Sequence, residues 1–128
     1  MIEERICSYK LSKLLQEKGF DEECANWYVD EDLDIIHVND CIGPQSNSDH
    51  YADEFECSAP THQMAMDWLR IVHGIYIIIL PSRMKENSFL FQIIHSPCSR
   101  YDTWEDLRNY PDFGRAVEAA CTYALSFL

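Results

Sequence analysis

Cys57 and His62 stand in the run CSAPTH, where a helix is expected to begin. A thiol at a helix N-terminus beside an imidazole is the setting in which a cysteine becomes nucleophilic. No acid that would orient the imidazole and no pair of oxyanion donors accompanies them, so the pattern reads as a buried thiol next to a helix-end histidine. His95 and Cys98, in HSPC, form a second pair that a hairpin end explains equally well. Cys41, His50, Cys57 and His62 could be read as zinc ligands, but they lack the close-paired spacing of structural zinc knuckles. Asp30, Asp32 and Asp34 imitate the opening of a calcium loop. Ile35 then stands where that loop requires glycine, and Cys41 where it requires the bidentate glutamate. The four glycines (Gly19, Gly43, Gly74 and Gly114) are too far apart to form a phosphate-binding loop. The sequence therefore assigns no catalytic residue, no metal site and no cofactor.

What remains is charge. Residues 21–56 contain twelve acids and no lysine or arginine, while the rest of the 128-residue chain holds ten acids against ten bases. The whole net charge of −12 belongs to that one region. Such a surface repels nucleic acid and anionic membrane and attracts basic partners. Asp30, Glu31, Asp32, Asp34, Asp53 and Glu54 are the candidate partner-binding residues.

The elements that must carry these groups follow from periodicity. Ser8 caps a first helix with Leu11, Leu14 and Leu15 on one face; Gly19 closes it, and Phe20 folds back on its last turn. Residues 24–29 and 33–38 read as a hairpin of two strands, and 39–56 as a long surface loop rich in loop formers. Ser58 or Thr61 caps a central helix, with Pro60 in its first turn. Its stripe is Ala65, Trp68, Leu69 and Val72, widened by Met64 and Ile71, and Gly74 ends it. Residues 75–80 are apolar throughout and read as a strand covered on both faces, paired as a hairpin with 89–95. Thr103 caps a brief helical piece interrupted by Pro111 and Gly114. Phe113, Ala116, Val117, Ala120, Ala124 and Phe127 then mark a C-terminal helix.

The order αββ-αββ-α predicts an α+β fold: a single domain over 1–128, built on one four-stranded antiparallel sheet with helices mainly on one face, the acidic hairpin and loop occupying 21–56. The stretch ending in KGF at Phe20, the CSAPT before the central helix, the DWLR followed by HGIYI, and the YDTWE from Tyr101 together resemble a group of uncharacterised small proteins of gut bacteria and their phages or other mobile elements. That resemblance implies no activity, cofactor or catalytic residue.

The expected function is that of a non-enzymatic protein of the cytoplasm, since the N-terminus carries two acids before any apolar run and so lacks a secretory signal. In a reducing compartment the six cysteines are expected as free thiols. The protein would bind a basic protein through its acidic face, without direct contact to nucleic acid or membrane. The alternatives are a nucleic-acid-mimicking decoy of a DNA-binding protein, a small Cys/His enzyme or metal-binding protein, and a homo-oligomer paired through an exposed apolar patch.

Overall fold

The computed structural model describes residues 5–29, 34–37, 43–48, 55–95 and 102–128, and its contacts divide the chain into two compact units, Met1–Thr61 and His62–Leu128. Each unit joins helix to antiparallel sheet, so the α+β class holds. The single four-stranded sheet does not: there are two three-stranded sheets, one per unit. Two strands absent from the sequence reading, one at the edge of each sheet, account for the difference.

In the first unit, helix α1 (Tyr9–Glu17) is capped by Ser8, whose Oγ accepts from the Leu11 N–H at 3.2 Å. It ends as a Schellman turn: the Phe20 N–H donates to Leu15 O (2.9 Å) and the Gly19 N–H to Gln16 O (3.1 Å), with Gly19 at φ +99°. Phe20, Leu11 and Leu15 are buried together with Trp27 and Tyr28. Strands β1 (Asn26–Val29) and β2 (Asp34–His37) form the expected hairpin, with Trp27 opposite Ile36 and Val29 opposite Asp34. The third strand, β3 (Phe55–Ser58), pairs with the other side of β1, giving the order β2-β1-β3. Residues 55–58 were expected as the end of a loop and the lead-in to a helix. Trp27 and Tyr28 bury both faces of β1, and so short a strand gains by hydrogen bonding along both edges. Tyr28, Cys57 and Ala59 pack with Ile6 and Tyr9, and the Tyr28 hydroxyl donates to Cys7 O at 2.7 Å.

In the second unit, α2 (His62–His73) ends where Gly74 adopts φ +67°, its N–H donating to Arg70 O at 3.1 Å. Pro60, expected in the first turn, precedes the helix; of the two expected caps, Ser58 lies in β3 and Thr61 stands immediately before His62. His62, Ala65, Trp68 and Leu69 are buried, whereas Ile71 and Val72, expected on the buried stripe, face solvent at the last turn. Strands β4 (Ile75–Pro81) and β5 (Phe89–His95) form the predicted hairpin over their full length, Ile75 opposite His95 and Pro81 opposite Phe89. The expectation that β4 is covered on both faces fails, because β4 is an edge strand with Tyr76 and Leu80 exposed.

The helix expected from Thr103 is instead strand β6 (Asp102–Tyr110), paired antiparallel with β5. Between Thr103 and Pro111 there is room for only about two helical turns, too short to form without tertiary support. The neighbouring β5, with Phe91 and Ile93 fully buried, offers a second hydrogen-bonding edge. Helix α3 (Phe113–Leu125) begins where Asp112 Oδ1 accepts from the Arg115 N–H at 2.8 Å. Its buried face, formed by Gly114, Ala116, Val117, Ala120, Cys121, Ala124 and Leu125, is mostly small, and it packs across β5 and β4. Among the described residues no helix is long and apolar enough to cross a membrane.

Candidate functional site

The acidic stretch is fastened to the first unit at several points. Gln45 and Cys24 exchange both backbone hydrogen bonds, Cys24 N–H to Gln45 O at 2.9 Å and Gln45 N–H to Cys24 O at 3.1 Å, which pins 43–48 beside the entry to β1. Asn47 is the hub. Its Nδ2 donates to Phe20 O at 2.7 Å, while its Oδ1 accepts from the Ser58 N–H at 2.8 Å and from Gln16 Nε2 at 3.3 Å. One amide thus joins the end of α1 to β3. Next to it, Ser48 donates twice to Asp21, from its N–H to Oδ1 (2.7 Å) and from its hydroxyl to Oδ2 (2.6 Å). These two bonds, the hydroxyl first, hold the Asp21 carboxyl below its ordinary value, because both oxygens are bound as acceptors. The segment 43–48, expected as part of a surface loop, has Gln45 and Ser46 buried.

The pairing of β1 with β3 slips between Tyr28 and Val29, so that Glu56 is passed over. Its carbonyl accepts from Gln16 Nε2 at 3.0 Å, and its carboxylate lies 3.6 Å from Lys13 Nζ. That pair is half-exposed and contributes little to stability. Asp21, Glu22 and Glu23, at the opening of the acidic stretch, are exposed.

Of the predicted partner-binding residues, Asp34 opens β2 opposite Val29. Asp30, Glu31, Asp32, Asp53 and Glu54 lie outside the described residues, as do Cys41, His50 and Cys98. In sequence, residues 30–33 lie between β1 and β2, and 53–54 immediately precede β3. Gln16, Asn47 and Ser48, which position the stretch, were not anticipated. The side-chain chemistry of the run Ser46-Asn47-Ser48 was the available signal, since such residues bond readily to nearby backbone.

The cysteine chemistry is quiet. Cys57 lies in β3 rather than at a helix start, and burial, opposed by Lys13 and reinforced by Glu56, pushes its thiol up to about 11. Burial takes Cys24 to about 12 and pushes Cys121 up as well. Cys7, Cys24, Cys57 and Cys121 are buried thiols outside any disulfide, and the three with raised values remain protonated at neutral pH. His62, in the second unit, meets a carboxylate that no local motif announces: its Nε2 is 2.7 Å from Glu118 Oε2, tying the start of α2 to α3.

The second unit also contains a cavity of about 280 Å³. Gln63, Met66, Asp67 and Arg70 of α2 form one wall, with Tyr76, Ile77 and Ile79 of β4 and Phe113 of α3 opposite. Gln63 Nε2 donates to Asp67 Oδ1 at 3.0 Å, and Arg70 Nη2 lies 3.5 Å from the same oxygen. No family model, curated protein or solved structure matches the chain.

Proposed function

We propose that the protein is a non-enzymatic binding protein of the cytoplasm whose acidic first unit captures a basic protein. The carrying observation is the unbroken acidity of 21–56, twelve carboxylates without a lysine or arginine, in a stretch fastened at Asp21, Cys24, Gln45 and Asn47. A concentration of carboxylates gives a negative potential, which supports fast association with, and selectivity for, a complementary cationic surface. The high thiol values of Cys24 and Cys57 speak against covalent chemistry at neutral pH in the same unit.

Capture from cell lysate at low and at high salt tests this reading. The native protein is compared with a variant carrying Asp30→Asn, Glu31→Gln, Asp32→Asn and Asp34→Asn, and with one carrying Asp53→Asn and Glu54→Gln. The expected result is a basic protein retained at low salt, released at high salt and lost from the first variant. A captured set that is identical for the native chain and both variants would remove the acidic face from the function.

A further inference from the structure

β4 is an outer strand of its sheet, and among the described residues no strand pairs with its free edge. It is seven residues long and carries no charge (IYIIILP). Natural proteins usually protect such an edge, because its unpaired backbone groups template another strand. The exposed large apolar side chains in and around it are Val72 (55% exposed), Tyr76 (44%), Leu80 (40%) and Met84 (90%), with Ile71 (70%) next to Val72. On the strand itself Tyr76 and Leu80 lie two residues to either side of Ile78 and so share one face, while Val72 lies at the end of α2 and Met84 follows β4. In a two-fold antiparallel pair centred on Ile78, residue i of one copy faces residue j of the other and j faces i, so the exposed Tyr76 meets the exposed Leu80.

We infer that two copies of this chain pair antiparallel through β4 about Ile78, joining their second-unit sheets into one continuous sheet. Tyr76 of each copy then covers Leu80 of the other on one face, and Ile77 faces Ile79 on the opposite face. Tyr76 and Leu80 on the strand, with Ile71 and Val72 before it and Met84 after it, supply exposed apolar surface towards the ~800 Å² per partner of a standard interface. Charge permits the contact. Residues 62–128 hold seven acids and six bases, whereas 1–61 hold fifteen acids and four bases, so self-association through the second unit brings near-neutral surfaces together. Because the remaining repulsion comes from the first unit, added salt tightens this dimer. Salt acts in the opposite direction on capture of a basic partner, so the two proposals fail independently.

Sedimentation equilibrium of the native protein over a range of concentration and salt tests the dimer. A dimer that strengthens with salt, and is weakened by more than about tenfold in the double variant Tyr76→Lys and Leu80→Lys, is the expected result. The register has its own test in Ile78→Cys. On the two-fold axis the two Cα atoms lie ~4.5–5.5 Å apart, within disulfide reach, so this variant forms a covalent dimer under mild oxidation while the native chain does not. A native chain that stays monomeric at high concentration overturns the proposal, as it would if β4 instead received a strand from a different protein. A dimer that survives in the folded lysine variant, or a dimeric Ile78→Cys protein that does not cross-link, overturns it equally.

Discussion

Asp21 accepts two hydrogen bonds from one serine, and that contact fixes where the acidic stretch leaves the helix. The bonds lower the pKa of the carboxyl in the folded chain, so its contribution to stability is present above the ordinary aspartate value of about 4 and is lost as pH falls through the lowered value. Ser48→Ala removes the hydroxyl donor, the larger cause, and leaves the backbone N–H. The Asp21 titration followed by NMR is expected to move up towards the ordinary value, and the acid limb of the stability curve attributable to Asp21 to shrink. An unchanged titration midpoint would mean that Ser48 does not hold the carboxylate in solution. Asn47 is of greater structural weight than Ser48, because each of its two amide atoms serves backbone from a different element. Polar residues together with one acid, Asp21, fasten the described parts of the acidic stretch.

The helix ends were the most legible elements because their signals are local. Ser8, Gly19 with Phe20, and Gly74 act within a turn of themselves, and each does what its position in the sequence predicts. Gly19 gives a sharp test. No atom would obstruct a Cβ there, yet φ is +99°, so Gly19→Ala is expected to cost about 1–2 kcal/mol in urea unfolding through backbone strain alone. A neutral substitution would show that the Schellman turn relaxes freely. The strands β3 and β6 were not legible, because each is specified by the edge it pairs with. Phe55–Ser58 is too short and mixed to show a period, and the Thr103 cap signal is overridden by hydrogen bonding to β5. For the same reason the coverage of β4 is not legible, since an all-apolar run does not distinguish a central strand from an exposed edge. The acidic candidates were legible as composition only, while Asn47 and the His62–Glu118 pair depend on contacts spanning tens of residues.

For the molecule as a whole, charge is concentrated in one part of the chain: residues 1–61 carry almost all of the excess, and 62–128 are nearly balanced. Crowded carboxylates repel one another in the compact state, so the thermal midpoint is expected to rise with salt. The rise should be smaller when Asp30, Glu31, Asp32 and Asp34 are neutralised. An equal rise in both proteins would place the repulsion elsewhere, and circular dichroism melts decide between the two. The closure of β1 between β2 and β3 has a further meaning in time. β2 follows β1 directly, but β3 arrives only after the acidic segment, and Ser58 must be present before Asn47 can tie it to Phe20. A chain emerging from the ribosome therefore cannot seal the second edge of β1 until that late strand is made, which makes this pairing one of high sequence separation.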